Sequence, residues 1–228
     1  MDIIYEQMME RNEQKIGKRD CMKADPILQK IEDNRRCYAI FSIIEKGEIK
    51  IEEEWKENLM KHGIMYEIGG DDGMFHFTFL QQIGFDPYKN GYRLTSEQKY
   101  KCAEYLRQLF EPFLPFTIEY RYLIPVETGI VLGGIPSVDI NGIREKYRQF
   151  LMDEGIPLYE PYYNDIVHST LYRVTNEDYR VDEFWKDVER YRRRGDYGRV
   201  MIEKIGMGET SWRVWPEETQ MDWMFQKN

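Results

Sequence analysis

Two four-residue stretches of this chain share one pattern. His76-Phe77-Thr78-Phe79 and His168-Ser169-Thr170-Leu171 both read His, any residue, Thr, hydrophobic, 92 positions apart (168 − 76). The chain holds three histidines, so two of the three open this pattern. Each copy falls in an apolar, β-rich run that reads as a strand. Side chains on a strand alternate between faces. His76 and Thr78 are therefore expected on one face and Phe77 and Phe79 on the other. His168 and Thr170 likewise share a face, with Val167, Ser169 and Leu171 opposite. Each strand would present an imidazole beside a hydroxyl and be anchored from behind by largely apolar residues.

The elements around the two copies repeat in similar order. Arg36 to Ile44 reads as a buried strand and Ile51 to His62 as a helix ended by Gly63. A Gly69–Gly73 turn then leads into a strand over Met74–Gln82. A helix follows over Thr95–Phe110, with Thr95 or Ser96 as its N-cap. Phe116 to Leu123 and Gly129 to Leu132 read as two strands joined around Pro125. The second half gives a helix over Asp139–Glu154, a strand over Asp165–Val174 and a helix over Val181–Arg194. Val200 to Ile205 and Ser211 to Trp215 then read as a closing hairpin. Strands and helices mix without strict alternation, so the expectation is an α+β fold with two similar lobes. Residues 1–35 read as one or two helices broken near Asp25-Pro26. They are taken as an N-terminal helical extension ahead of a domain over 36–228; an ordinary first helix of that domain is the other reading.

Composition bounds the partners. Apolar residues make up 42% and aromatics 14% of 228 residues, enough for a sizeable core and too many for a disordered chain. The net charge of −9 repels long polyanions, so a small nucleotide or an RNA end fits better than a duplex. No apolar run approaches the roughly 20 residues that span a bilayer, and the charged first 20 residues do not read as a signal peptide. Cys21, Cys37 and Cys102 are odd in number and widely spaced. They point to a reducing, cytoplasmic setting and not to a cysteine zinc site. The chain is expected to act as a monomer, away from membranes, with no cofactor and no metal.

Two imidazoles and two hydroxyls converging on one cleft suit phosphodiester chemistry. A neutral imidazole takes a proton from the attacking oxygen, and a protonated one gives a proton to the leaving oxygen. The hydroxyls donate to the non-bridging oxygens, where negative charge builds. The pattern leaves open which histidine takes which part.

The doubled motif, its strand placement and the two-half layout resemble the two-histidine (2H) phosphoesterase superfamily. That group includes the LigT-like, 2′,5′ RNA ligase-like proteins and the cyclic nucleotide phosphodiesterases. The resemblance covers roughly Arg36 to Trp215. It implies a bilobal fold of two pseudo-symmetric antiparallel sheets with outer helices around a central cleft. It also implies that His76 and His168 are catalytic, with Thr78 and Thr170 binding phosphate. The activity it implies is a metal-independent phosphodiesterase acting on 2′,3′-cyclic phosphates or 2′,5′-linked nucleotides. Destruction of cyclic nucleotide or oligonucleotide immune signals, or a non-catalytic nucleotide-binding module, are the alternatives.

Weaker signals surround the motifs. Tyr172, two residues past Thr170, is expected by alternation to edge the cleft and stack a base, or else to be an ordinary core or surface tyrosine. Tyr163, with Tyr162, is a further stacking candidate. Arg190 and Arg192–Arg194 cluster at a helix end, where they complement the helix dipole.

Overall fold

The computed structural model describes residues 2–25, 36–68, 75–192, 195–211 and 220–226. The elements in chain order are α1 (Asp2–Ile16), β1 (Arg36–Ile43), β2 (Lys46–Ile49), α2 (Glu53–Met60), β3 (Gly63–Met65), β4 (His76–Ile83), α3 (Phe85–Lys89), α4 (Ser96–Phe110), β5 (Phe116–Val126), β6 (Gly129–Pro136), α5 (Ile140–Asp153), β7 (His168–Val174), α6 (Val181–Arg192), β8 (Gly198–Ile202), β9 (Lys204–Ser211) and β10 (Gln220–Gln226). The strands form two antiparallel sheets, ordered β10-β9-β1-β4 and β2-β8-β5-β6-β7-β3. This is the α+β class, with β4 and β7 in corresponding places. β4 pairs with β1 across a connection containing α2, and β7 pairs with β6 across one containing α5.

Local chemistry sets the helices where their periodicity predicts. Thr95 caps α4 through a reciprocal box with Gln98, which satisfies two otherwise orphaned backbone donors. Its buried stripe is Cys102, Ala103, Leu106 and Phe110. In α5, Asp139 accepts from the Gly142 N–H, and the buried stripe runs Ile140, Ile143, Arg144, Tyr147 and Leu151. That spacing is helical, and the cation in the middle of it is the exception to an apolar face. The main core lies behind the motif strands and includes Phe77, Phe79, Leu80, Phe110, Phe116, Leu171 and Val200.

One expectation is corrected, and two strands were not anticipated. β8 and β9 do not lead into a Val200–Trp215 hairpin: β8 pairs with β5 and β2, whereas β9 pairs with β1 and β10 in the other sheet. Only Glu203 separates them, so the chain changes sheets where a short apolar pattern reads as continuous. The charged β2 and the three-residue β3 were too short to show a period, yet both finish an edge of the larger sheet. The Gly69–Gly73 turn, Arg193, Arg194, the stretch 212–215 and the segment 26–35 lie outside the described residues.

The helix within the N-terminal segment is built into the second lobe. Tyr5 of α1 is fully buried, and its hydroxyl lies 2.7 Å from Val167 O and 2.9 Å from Gly134 O while accepting from Val167 N at 3.0 Å. Its ring stacks on Tyr122 with centroids 4.5 Å apart. Gly133 makes room for it: a Cβ there would sit 2.8 Å from the Tyr5 ring. Residues 20–25 then run beside the end of β7, where Asp25 N donates to Val174 O at 2.8 Å.

Candidate active site

Both motif strands begin with the alternation that their sequences predict. In β4, His76 and Thr78 are partly exposed and Phe77 and Phe79 fully buried. In β7, His168 and Thr170 are partly exposed and Ser169 and Leu171 buried. The Ser169 hydroxyl faces the core, 2.5 Å from the Tyr120 hydroxyl.

Alternation then breaks at the same place in both copies. Thr78 pairs with Phe41 and Leu80 with Ile40, so Phe79 is left over. Thr170 pairs with Val131 and Tyr172 with Ile130, so Leu171 is left over. Each is a β-bulge one residue past the threonine, and it moves the side chains that follow to the other face, in β4 as far as a second shift at Gln82. The partly exposed residue is therefore the fifth after the histidine, Gln81 in one strand and Arg173 in the other. The signal was in the sequence: Phe79-Leu80 and Leu171-Tyr172 are adjacent apolar pairs inside alternating runs, each followed by a polar residue.

The bulge overturns the stacking expectation for Tyr172. That side chain is fully buried in the main core, close to Gly63, and does not edge the cleft. Tyr163 is 62% exposed, but its hydroxyl donates to Glu145 at 2.6 Å and its ring covers Arg148. Tyr162 is the tyrosine beside a motif residue: it lines a small cavity with Thr78, Gln81, Glu160, Pro161 and Asn164. Arg190 and Arg192 are engaged in ion pairs, with Glu54 and with Glu13 and Glu189. His62 stacks flat on Tyr179 at 4.0 Å, at the end of α2.

The motif faces carry their own apolar layers, separate from the main core. In the smaller sheet, Cys37, Ala39 and Phe41 form one with Ile43, Phe85 and Met221. His76 pairs with Ile43 and Thr78 with Phe41, so these side chains share the motif face. In the larger sheet, Ile124, Val131 and Ile166 pack with Tyr5 and its α1 neighbours Met8 and Met9. Gly133 pairs with His168, so α1 lies on the face that carries His168.

β4 and β7 touch across the two sheets, and His76 is within electrostatic reach of His168. Burial pushes the His168 imidazole down from 6.5 to about 4, with the charges of Arg144, Arg173 and His76 adding to the shift. At neutral pH His168 is uncharged. Its Nδ1 is buried and has no hydrogen-bond partner among the described residues, so packing orients the ring. Arg173 donates from Nη1 to Thr128 Oγ1 at 2.7 Å and from Nη2 to Thr170 Oγ1 at 3.3 Å, with the Asp25 carboxylate 3.7 Å away.

Arg144 was not singled out from the sequence. It is 0% exposed and donates from Nε to Phe79 O at 2.7 Å, from Nη2 to Thr78 O at 3.3 Å and from Nη1 to Ile166 O at 2.8 Å. Burial lowers it from 12.5 to about 10, which leaves it charged at neutral pH. Its legible signal was a charge in the buried stripe of α5.

No protein-family model matches the chain, and no curated protein matches it. Among solved structures, the chain is similar to E. coli LigT in complex with 3′-AMP, with a TM-score of 0.45 at 12% identity over 86% of this chain and 99% of LigT. The apo form of E. coli LigT gives 0.43 at 12% identity over the same shares, 86% and 99%. Its NADP+ complex gives 0.39 at 12% identity over 84% and 98%.

Proposed function

We propose that this chain is a phosphodiesterase that uses His76 and His168 as an acid–base pair, without a metal, on phosphodiesters that include a 2′ oxygen. The observation that carries the reading is the equivalence of the two His–Thr pairs. Each opens a strand in a corresponding place of its sheet, and each is followed by a bulge at the same offset.

The environment of His168 assigns its role. His168 is held neutral, so it is the proton acceptor, and the donor's part then falls to His76 as the other member of the pair. On a 2′,3′-cyclic phosphate, His168 takes a proton from water as the water oxygen bonds to phosphorus. The bond from phosphorus to one ribose oxygen breaks, and that oxygen takes its proton from His76. One water is consumed and the two imidazoles exchange protonation states. Thr170 accepts from Arg173, which leaves its own O–H to donate to a non-bridging phosphate oxygen. Thr78 plays the matching part, and Tyr162 takes the base-stacking role. In a 2′,5′ linkage the neighbouring 3′ hydroxyl is already held beside phosphorus, so it attacks, losing its proton to His168. The bond from phosphorus to the 5′ oxygen breaks and that oxygen takes a proton from His76, leaving a 2′,3′-cyclic phosphate. A 3′,5′-linked DNA has no such neighbour and needs a stronger electrophile.

The test is product formation from a 2′,3′-cyclic mononucleotide and matched 2′,5′ and 3′,5′ dinucleotides, with and without EDTA. Turnover of the first two in EDTA supports the proposal. Cleavage of 3′,5′-linked DNA alone, or activity lost in EDTA and restored by a divalent ion, refutes it.

A further inference from the structure

We infer that Arg144 is a positioning residue, tying the strand of His76 and Thr78 to the entry of the strand of His168 and Thr170. The inference rests on the acid–base reading above and adds a component that neither motif contains.

The need for a tie follows from the topology. β4 is the outer strand of its sheet, and among the described residues its outer edge is bridged only at its far end, where Tyr159 meets Gln82, Ile83 and Gly84. The bulge at Phe79 disturbs the ladder on its other side. The first half of β7 pairs with β6 on one side, while β3 reaches only Tyr172 to Val174 on the other. β4 and β7 thus touch along largely open edges, and among the described residues no strand pairing joins the two sheets.

Arg144 fills that seam. Its guanidinium donates to Thr78 O and Phe79 O on β4 and to Ile166 O, two residues before His168. Nη1 also donates to Asn141 Oδ1 at 2.9 Å. With the Asn164 amide oriented to suit its surroundings, its oxygen accepts from Nη2 at 3.2 Å and its nitrogen donates to Ile166 O at 3.0 Å. All five guanidinium donors are then used. No carboxylate pairs with this cation among the described residues, although a buried cation ordinarily takes one. Three of its hydrogen bonds go to backbone carbonyls of the two motif segments, and a rigid planar fork can span them where an ammonium cannot. A buried, fully bonded group on a helix is also a stiff one, as catalytic spacing requires.

The test combines Arg144→Lys with His76→Gln and follows the ring titration of His168 by NMR. In the wild-type chain, His76→Gln removes a neighbouring charge and raises the His168 titration point. The size of that rise reads the separation of the two rings without any turnover. The expected result is a smaller rise in the Arg144→Lys background, with kcat on a 2′,3′-cyclic nucleotide down about 100-fold, the usual cost of a misplacement near 1 Å. Should Arg144→Lys fail to fold, Asn141→Ala removes one acceptor of the same fork and is expected to act in the same sense, more weakly. An equal rise in both backgrounds overturns the inference, whatever happens to stability. Absence of turnover in the wild-type enzyme would instead remove the phosphodiesterase reading and leave the titration to decide this one.

Discussion

Nη2 of Arg173 donates to Oγ1 of Thr170 at 3.3 Å from three residues further along the same strand. On a regular strand, residues three apart point to opposite faces. The bulge at Leu171 brings them to one face, so the same irregularity that buries Tyr172 supplies the threonine with a fixed donor. Arg173 is therefore expected to act through Thr170. Thr170→Val should lower kcat by about 10²–10³, the usual cost of one lost oxyanion donor. Arg173→Met should cost at least tenfold alone and much less in the Thr170→Val background, because the two effects share one interaction. Equal losses in both backgrounds, in a double-mutant cycle on kcat, would contradict this.

The two histidines are expected to behave as a unit. His76→Ala and His168→Ala should each abolish most of the activity, and the double variant should be little worse than either. The rate should follow a bell in pH. Its rising limb belongs to His168 losing its proton and lies well below 6.5, near 4; its falling limb belongs to the donor. A profile whose rising limb sits at 6.5 or above would reverse the assignment of roles.

Stability should respond to the same group. His168 has a folded-state value of about 4 against 6.5 unfolded, so the unfolded chain binds the extra proton first. The contribution is present above about pH 6.5 and is lost as pH falls from there through 4. Its full size is about 3 kcal/mol, the free-energy equivalent of the fall from 6.5 to about 4. Denaturant midpoints at pH 7 and pH 4 should show the loss, and a His168→Gln variant should show less of it. The same slope in both proteins would place the sensitivity elsewhere.

Tyr5 offers a test of how far α1 belongs to the site. Tyr5→Phe leaves the Val167 N–H without its hydroxyl partner at a buried position one residue before His168. The expected cost is on the order of 1–3 kcal/mol in a denaturant titration. Gly133→Ala should be worse tolerated, since its Cβ would meet the Tyr5 ring at 2.8 Å and Ile124 Cδ1 at 2.9 Å. A Tyr5→Phe protein of unchanged stability would mean that α1 is only loosely attached.

The sequence by itself determined the local elements and the chemistry of the motif faces. The periods of two in β4 and β7, the helical stripe of α4 and the Thr95 cap are short-range effects, written in neighbouring residues. His76 and Thr78, and His168 and Thr170, share faces because alternation needs only a few residues to act. What lay further off was decided by the tertiary structure. An adjacent apolar pair in each alternating run is the local hint of a bulge, but pairing with β1 and β6 is what leaves Phe79 and Leu171 without an opposite number. That is why Tyr172, assigned to the cleft by unbroken alternation, lies in the core, and why Arg173 and Gln81 were passed over. Arg144 and Tyr5 reach the motif segments from helices distant in sequence, 65 and 162 residues from the backbone groups they bind. A hydrogen bond of that span leaves no periodic trace, because its two ends are brought together only when the sheets pack. The same packing, with the cations Arg144 and Arg173 brought close to it, lowers the His168 imidazole from 6.5 to about 4, a shift that the four-residue pattern alone does not contain.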